Sequence, residues 1–314
     1  MSQRRFSTRC AETDTKSMRV LSIQSHVVSG YVGNKSATFP LQVLGFEVDA
    51  INSVQFSNHT GYGFWTGQVL QKTDLEELVK GLTQNNLDNY SHLLTGYTAD
   101  ATFLRKIGDV VKQLRKVNPS LIYVCDPVIG DNGRVYVSKE LIPIYRNEII
   151  PLANIITPNQ FELELIADRT IRSVEDAIKA IDYVHEMGVE IIFLSSSDLA
   201  SDDNLLALIS RKKGNKREVL KMTFPRLPAS FTGTGDLTAA LFLAWHTKTQ
   251  NDLQASIENT IATMQAVVKR TFQIARQSTD GDNPTVSSLE LKLIQSKDDI
   301  ENPTCTIAAE QVLL

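Results

Sequence analysis

Cysteine is scarce in this sequence, with three in 314 residues: Cys10, Cys125 and Cys305. They lie far apart, are odd in number and form no C-x-x-C pair. This pattern argues against a disulfide framework and against a cysteine zinc site. A reducing compartment fits this cysteine usage best.

Long apolar runs are also missing. No stretch approaches the roughly 18 residues that a membrane-spanning helix needs, and the N-terminus lacks the apolar core of a secretory signal. Arg4, Arg5 and Arg9 resemble a mitochondrial presequence, but Glu12 and Asp14 argue against one. We therefore expect a cytoplasmic protein whose residues 1–18 form a disordered tail.

The chain has no large excess of charge of either sign, since its formal net charge is −4. A field this weak gives no reason to expect nucleic acid or a membrane surface as a partner. Hydrophobic residues make up 42% and charged residues 22% of the sequence, which is typical of a globular enzyme.

Strand-like and helix-like segments alternate along the chain without a Pro/Gly-rich linker. This pattern predicts one doubly wound α/β domain over residues 19–314, with a mostly parallel central sheet flanked by helices. The predicted strands are 19–25, 46–56, 92–95, 121–125, 155–156 and 190–194, followed by an antiparallel pair at 205–210 and 218–224. The predicted helices include one ending at Leu44, then 75–87, 103–117, 177–187, the segment after Gly235, and 253–276. We expect the segment after residue 277 to be a peripheral surface element.

Residues 231–241, FTGTGDLTAAL, form the clearest chemical motif. The glycines at 233 and 235 favour a turn whose backbone N–H groups converge, and the apolar run behind them predicts a buried helix. A helix N-terminus of this kind stabilises a phosphoryl group, and Asp236 beside it suits removal of a proton from an attacking hydroxyl. The alternative is a Gly-rich turn with a helix-capping Asp.

Two further groups of polar residues follow predicted strands. Asp126 and Asp131 come after strand 121–125, at the sheet edge where α/β proteins bind ligands. The following T-P-N-Q sequence predicts a helix with Thr157 as N-cap, Pro158 at its first position and Gln160 completing a capping box. That interpretation leaves Asn159 and Glu162 without a structural role, so we expect them in the site.

Three other segments leave alternatives open. The aromatic segment 57–65, SNHTGYGFW, suits a cover over a ligand and a surface loop equally. The basic run 211–217 is favoured as a hairpin tip over a nucleic-acid signal. The segment GYVGNKS is not a P-loop, because Ser29 and Asn34 stand where that motif needs glycine.

The segments TPNQFE, GTGD and VLSIQSHVVSGYVGN together resemble the ribokinase-like superfamily and, within it, the pyridoxal kinases of the animal type. The similarity runs from residue 19 to residue 314 and includes LLTGY, YVCDPVIGD and QSKDDIENP. It implies an ATP-dependent phosphorylation of the 5′-hydroxymethyl group of pyridoxal, pyridoxine or pyridoxamine. Asp236 would be the catalytic base, and Gly233, Thr234 and Gly235 would hold the transferring phosphoryl group.

The resemblance also implies the binding residues. The implied substrate-binding residues are Ser25, Val32, Val54, Phe56, Thr60, Tyr97, Tyr136 and Thr232. The implied nucleotide-binding residues are Asp126, Asn159, Gln160, Phe161, Glu162, Ser195, Ser196, Leu227, Pro228, Ala229 and Thr234. The implied metal-binding residues are Asp126, Asp131, Thr157, Glu162 and Ser195.

Mg²⁺ or another divalent ion, a monovalent cation (K⁺ or Na⁺) and a homodimer are implied in the same way. Two segments depart from the family. Residues 132–135 are shorter than the usual lid of the animal enzymes, which affects how the phosphoryl group is shielded from water. Residues 227–230 also differ in sequence, and prolines there change the expected path of the loop.

Three other functions compete with this interpretation. A kinase for another hydroxymethyl heterocycle, such as the hydroxymethylpyrimidine precursor of thiamine, would share the fold and the anion site. A catalytically silent protein that binds vitamin B6 is disfavoured by Asp236, since a binder needs no base at a phosphate site. A dehydrogenase is weaker still, because no G-x-G-x-x-G follows the first strand.

Overall fold

The computed structural model describes residues 18–278 and 283–313, so almost all of the predicted tail lies outside the described residues. The strands are β1 (Arg19–Val27), β2 (Glu47–Phe56), β3 (Gly67–Val69), β4 (His92–Thr95), β5 (Ile122–Cys125), β6 (Gly130–Asp131), β7 (Arg134–Val135), β8 (Ile155–Ile156), β9 (Ile191–Ser197), β10 (Asn204–Lys213), β11 (Lys216–Pro225) and β12 (Glu310–Gln311). In the described residues, β6 and β7 form a separate hairpin, and the other ten strands form one sheet in the order β12-β11-β10-β9-β8-β5-β4-β1-β2-β3.

The centre of this sheet is parallel. Strands β2, β1, β4, β5, β8 and β9 run in one direction, while β3, β10, β11 and β12 add antiparallel pairs at the two sides. The predicted mostly parallel sheet is confirmed. Because the carboxyl ends of the parallel strands share one edge, the polar residues that follow them collect there.

Helices cover both faces of the sheet. They are α1 (Asn34–Val43), α2 (Lys72–Gln84), α3 (Ala101–Val117), α4 (Leu141–Ile144), α5 (Gln160–Ala167), α6 (Val174–Glu186), α7 (Thr234–Lys248), α8 (Leu253–Ser278) and α9 (Lys297–Glu301). Short 3₁₀ turns occupy Thr60–Tyr62, Ile150–Leu152 and Ile294–Ser296, and a π turn occupies Tyr145–Ile149. The single domain over 19–314 stays a prediction. It is compatible with the one ten-stranded sheet, which takes strands from both ends of the chain.

Alternating side chains of the strands supply two cores. Ile191 and Phe193 of β9 pack with α1, α7, α8 and α9, whereas Ile192 and Leu194 face the core formed with α2 to α6. Every residue of α7 from 237 to 246 is buried. A helix that is enclosed by other elements needs apolar residues on all its faces. The packing on all sides of α7 fixes its N-terminus against the sheet edge.

The predicted start of α5 was wrong by two residues. Asn159, not Thr157, is the N-cap: its side chain accepts from the Glu162 N–H at 2.9 Å, and Glu162 accepts in return from the Asn159 N–H at 2.9 Å. Thr157 instead donates its hydroxyl to Asp126 at 3.1 Å. The side chain of Gln160 accepts from the Asp198 N–H at 3.0 Å. Both T-P-N-Q and N-Q-F-E fit the capping-box pattern. Because the Thr157 hydroxyl is bonded to Asp126 at the end of the neighbouring strand β5, Asn159 caps the helix instead.

One other expectation needs correction. The segment after residue 277 is not merely peripheral, because Leu291, Leu293 and Ile300 are fully buried in the core. The predicted hairpin tip at 211–217 is confirmed: β10 and β11 pair up to Lys213 and Lys216, and residues 212–216 are exposed. At its base, Arg211 pairs with Glu218 and Arg217 pairs with Asp182, each at 2.5 Å. In the described residues, no helix is both long enough and apolar enough to cross a bilayer.

Candidate active site

The turn before α7 brings two helix N-termini together. Gly233, the N-cap, has φ 86°, and a Cβ placed on it would lie 2.1 Å from the carbonyl oxygen of Tyr31. The Ser36 hydroxyl, in the first turn of α1, donates to the Gly233 carbonyl at 3.0 Å. Only glycine allows both the backbone angle and this close approach. The unpaired N–H groups of α7 therefore begin beside the first turn of α1.

Asp236 lies in the first turn of α7, where the helix dipole favours a negative charge. Burial raises the pKa of its carboxyl to about 6, although a hydrogen bond from the Gly33 N–H opposes the rise. A carboxylate with such a pKa is ionised at neutral pH and is a better proton acceptor than an exposed aspartate. This is the behaviour required of the predicted base.

Gly33 is itself held tightly against the end of β1. It has φ 52°, and a Cβ placed on it would lie 2.1 Å from the Ser25 carbonyl oxygen and 2.4 Å from Ser25 Oγ. Val32, next to it, is buried. Two of the predicted substrate-binding residues, Ser25 and Val32, are therefore placed in the segment that contacts Asp236.

Two buried carboxyl groups lie on the other side of the α7 turn. Asp126 follows β5, and its Oδ2 lies 3.6 Å from the position that a Cβ on Gly235 would take. Burial, together with the negative charges of Glu162 and Asp236, raises the pKa of Asp126 well above its usual range. Burial likewise raises the pKa of Glu162 to about 8, against the lowering effect of three backbone N–H groups.

This pair of carboxyl groups fits a divalent cation that is held mainly by phosphates and water. Burial and like charge both disfavour ionisation of the pair, and a cation beside it would remove that penalty. Glu162 already accepts from the N–H groups of Ile129 and Asn159 at 3.0 and 2.9 Å, which leaves less of its acceptor capacity for a cation. Within the described ranges, no three His, Cys, Asp or Glu side chains form a cluster suited to a metal.

The other predicted metal-binding residues are less closely grouped. Asp131 is exposed, and its carboxylate accepts two hydrogen bonds from Asn132 at 2.8 and 3.0 Å. The Ser195 hydroxyl donates to the Pro158 carbonyl at 3.3 Å. Thr157 contacts Asp126 directly, as described above. The assignment of all five to a metal stays a prediction.

The predicted nucleotide-binding residues lie along one edge of the sheet, between the start of α5 and the loop before α7. Asn159 donates its amide to the Gly130 carbonyl at 2.8 Å, which ties α5 to the β6–β7 hairpin. The Phe161 ring packs so close to Gly130 that a Cβ there would lie 2.9 Å from it. Ser195 and Ser196 lie near the carboxyl end of β9, while Leu227, Pro228 and Ala229 follow β11.

The remaining predicted substrate-binding residues come from several elements. Val54 and Phe56 belong to the end of β2, and Tyr97 follows β4 with its carbonyl bound by the Ser53 hydroxyl at 2.7 Å. Thr60 and Tyr136 are exposed, on the loop after β2 and after the β6–β7 hairpin. Thr232 immediately precedes Gly233, and a Cβ on Gly61 would lie 4.0 Å from its hydroxyl. The loop of residues 57–66, called the flap below, therefore comes close to the glycine turn before α7.

Sequence reasoning missed the group that holds this flap. Glu290 accepts from the Tyr62 hydroxyl at 2.9 Å and from the Tyr31 N–H at 2.9 Å, and its carboxylate lies 3.3 Å from His59 Nε2. Glu290 and Tyr62 are 228 residues apart in the sequence, so no local sequence pattern could indicate their contact. Gly33 was missed as a partner of Asp236 for the same reason.

A Gly-rich turn at a helix N-terminus, a carboxylate in that helix, and further carboxyl groups at the ends of parallel strands define a phosphotransferase of the ribokinase-like fold. The family model described as phosphomethylpyrimidine kinase matches residues 90–282. Human pyridoxal kinase is 49% identical over 304 residues, covering 93% of this chain and 97% of the human one. Pyridoxal kinase of Arabidopsis thaliana is 48% identical, covering 93% and 94%.

Solved structures agree with these relatives. Pyridoxal kinase from Leishmania donovani in complex with ADP and pyridoxamine superposes with a TM-score of 0.88 at 32% identity, covering 94% of this chain and 100% of that one. Pyridoxal kinase from Trypanosoma brucei gives a TM-score of 0.83 at 33% identity, covering 95% and 100%. The chain belongs to the pyridoxal kinase family, and the predicted resemblance and enzyme class are confirmed.

Proposed function

We propose that this protein transfers the γ-phosphoryl group of ATP to the 5′-hydroxymethyl group of pyridoxal, giving pyridoxal 5′-phosphate and ADP in the salvage of vitamin B6. Pyridoxine and pyridoxamine are acceptors of the same kind. The observation that carries the proposal is the placement of Asp236, half-buried in the first turn of α7 with its pKa raised to about 6 by burial. Membership of the pyridoxal kinase family supports the choice of acceptor.

The chemistry follows from that placement. Asp236 takes the proton of the acceptor hydroxyl while the hydroxyl oxygen forms a bond to the γ-phosphorus, and the bond to the β-phosphate oxygen of ADP breaks. Negative charge on the transferring group is stabilised by N–H groups of Gly233, Thr234 and Gly235 at the positive end of α7. Ser36 and Tyr31 hold this turn in place before the substrates arrive.

We assign the acceptor ring to the space between the end of β1 and the flap. Ser25 offers a hydroxyl to a ring nitrogen or oxygen, and Val32, Val54, Phe56, Thr60 and Tyr97 supply apolar and aromatic surface around it. Tyr136 and Thr232 complete the proposed set. Closing these residues over the acceptor would keep water from competing for the phosphoryl group.

Asp126 and Thr157, with Glu162 behind them, are the residues that we assign to a divalent cation, together with Asp131 and Ser195. Mg²⁺ bound there would neutralise phosphate charge and orient the γ-phosphoryl group. The monovalent ion, K⁺ or Na⁺, the homodimer and the cytoplasmic location remain parts of the proposal, supported by the family resemblance and by the cysteine usage.

A second candidate is phosphorylation of a hydroxymethylpyrimidine. The family model described as phosphomethylpyrimidine kinase matches more than half of the chain and favours it. Anion turn, base and fold would be the same for both reactions, so only the residues around the ring separate them. The silent binder of vitamin B6 is disfavoured, because a protein that only binds the vitamin needs no carboxylate beside the glycine turn of α7.

The deciding experiment measures pyridoxal 5′-phosphate formed from pyridoxal and MgATP, with the hydroxymethylpyrimidine and a magnesium-free sample run alongside. Magnesium-dependent product from pyridoxal, at a higher kcat/KM than with the pyrimidine, is the expected result. A higher kcat/KM for the pyrimidine would transfer the assignment to the second candidate. No product from either, with pyridoxal still bound, would favour the silent binder.

A further inference from the structure

Glu290 joins three parts of the chain that are far apart in sequence. Its Oε2 accepts from the Tyr31 N–H, in the loop between β1 and α1, at 2.9 Å. Its Oε1 accepts from the Tyr62 hydroxyl of the flap at 2.9 Å and lies 3.3 Å from His59 Nε2. Side chains of Glu290 and His59 are 11% and 7% exposed, so little water competes for these contacts.

The segment that carries Glu290 is fixed to the body of the protein. Leu291 and Leu293 are fully buried, and the Lys292 N–H donates to the Thr271 hydroxyl of α8 at 3.0 Å. Gly30 passes so near that a Cβ on it would lie 2.4 Å from Glu290 Oε1. The carboxylate is therefore a fixed point, and the flap is the part whose position depends on it.

The flap is otherwise tied mainly at its base. The Ser57 N–H donates to the Thr66 carbonyl at 2.8 Å, and Asn58 donates its amide to the Phe64 carbonyl at 2.9 Å. Phe64 and Trp65, on the returning side of the flap, are 79% and 42% exposed, so apolar packing does not hold that side. Glu290 thus provides the polar anchor that keeps Gly61 of the flap near Thr232.

We propose that Glu290 is a positioning residue that holds the flap over the acceptor site, through Tyr62 and His59, and so sets the affinity for the acceptor but not for ATP. The inference deepens the proposed function and rests on it for its kinetic part. The Tyr62 and His59 contacts lie on the acceptor side of Thr232. None of them reaches the residues assigned to the nucleotide at α5 and β9.

The carboxylate is suited to this task because all its neighbours are donors. Burial raises the pKa of Glu290, but hydrogen bonds from His59, Tyr31 and Tyr62 outweigh burial and keep the pKa below its ordinary value. An uncharged amide of the same shape cannot replace it. The NH₂ group of a glutamine would face either the Tyr31 N–H or the Tyr62 and His59 pair, and one contact would be lost.

The kinetic test compares Glu290→Gln and Tyr62→Phe with Glu301→Gln, a control that removes an exposed pair with Lys297 in the same C-terminal region. Loss of a hydrogen bond to a charged group predicts that Glu290→Gln raises KM for pyridoxal about 10- to 150-fold, with KM for ATP within about twofold of the parent. Tyr62→Phe should act in the same direction, and combining the two should cost less than the product of the single effects. Equal increases in both KM values, or none, would overturn the proposal.

A fluorescence test reports the flap without any catalysis. The chain has two tryptophans, Trp65 in the flap and Trp245 in α7. In a Trp245→Phe background, acrylamide quenching of Trp65 should increase with Glu290→Gln and stay unchanged with Glu301→Gln. Quenching that is the same in all three proteins would contradict the role of Glu290, even if pyridoxal is the substrate. If Glu290→Gln increases the quenching but the parent protein does not phosphorylate pyridoxal, the role of Glu290 as an anchor of the flap is supported and the proposed function is rejected.

Discussion

The backbone N–H of Gly33 donates a hydrogen bond to the carboxylate of Asp236, across 203 positions of the chain as numbered. Gly33 is the N-cap of α1, and Asp236 lies in the first turn of α7, so the contact joins the N-termini of two helices. The bond favours the ionised carboxylate and burial disfavours it, with burial the larger effect. The proposed base is thus oriented by one helix and placed by another.

Asp236→Asn should lower kcat by about 10²- to 10⁴-fold, since it removes the proton acceptor but keeps the shape of the side chain. Affinity for ATP should be largely kept, because the Gly233–Gly235 turn is untouched. Stopped-flow or coupled assays of pyridoxal 5′-phosphate formation, with ATP binding measured by calorimetry, provide the comparison. Asp109→Asn on α3, with its side chain 62% exposed, is the matched control. A near-normal rate for Asp236→Asn would exclude it as the base.

The same substitution should have a pH-dependent effect on stability. Burial raises the pKa of Asp236 from 3.8 to about 6, so the folded state binds its proton more tightly than the unfolded state does. The cost of the buried charge is absent at pH 3, grows as the pH rises toward about 6, and is complete above it. Asp236→Asn should therefore be more heat-stable than the parent at pH 8, and this gain should shrink on acidification. An equal difference in Tm at pH 8 and pH 4.5 would contradict the raised pKa.

Gly233→Ala should impair both folding stability and catalysis. The new Cβ would lie 2.1 Å from the Tyr31 carbonyl oxygen, so the turn that carries the phosphate-binding N–H groups must move. Gly188→Ala is the comparison, because Gly188 also has a positive φ but has no atom within 4 Å of an added Cβ. Both variants should lose about 1–2 kcal/mol from the backbone angle alone, and Gly233→Ala should lose more and also lose activity. Urea unfolding and kcat of both variants would test this. Equal effects of Gly233→Ala and Gly188→Ala would show that the close approach of Gly233 to the Tyr31 carbonyl does not matter.

The fold was predictable because each element carries its own signal. The apolar segments that became β4, β5 and β9 and the apolar run of α7 each show their pattern within a few residues. The GTGD turn and its Asp236 were also visible locally, since glycine spacing and an apolar helix stand side by side. These features do not depend on distant partners.

Contacts between distant segments were not predictable from the residues alone. Glu290 follows the short segment Ser287-Ser288-Leu289, which carries no recognisable motif, and its role depends on Tyr31 and Tyr62 near the other end of the chain. The start of α5 shows the same limit on a smaller scale: the hydroxyl of Thr157 was taken by Asp126 of the neighbouring strand end, which moved the capping box to Asn159. The resemblance supplied site residues, but which of them share hydrogen bonds is a property of the fold.

Two substitutions at Asn159 should distinguish its role as the helix N-cap from its hydrogen bond to the β6–β7 hairpin. Asn159→Ser keeps an oxygen that can accept from the Glu162 N–H, whereas Asn159→Ala does not, so alanine should cost about 1 kcal/mol more in unfolding free energy. Both variants lose the amide donated to Gly130, and both should raise KM for ATP by a similar factor. Chemical denaturation and steady-state kinetics would check the two effects. If KM for ATP is near the parent value in Asn159→Ser and is raised only in Asn159→Ala, then helix capping alone matters and the bond to Gly130 does not.

Two buried histidines should make the protein sensitive to mild acid. Burial lowers the pKa of His92 to about 4, with a further lowering by His246, and burial also lowers the pKa of His246 to about 4. His92 contacts the hydroxyls of Ser91 and Thr247 at 2.8 and 3.1 Å, so the neutral ring is well accommodated. Because the unfolded state takes up protons below about pH 6.5 and the folded state does not, stability is full above that pH and is lost as the pH falls toward 4.

The expected loss at pH 5 is on the order of 2 kcal/mol for each of these histidines, relative to pH 8. Urea unfolding of the parent and of His92→Gln and His246→Gln at both pH values would measure it. Each variant is expected to be less stable than the parent at pH 8, because glutamine fits the buried site less well. Each should nevertheless lose less stability than the parent between pH 8 and pH 5. Variants that lose as much stability as the parent between pH 8 and pH 5 would show that the two rings are not held neutral by burial.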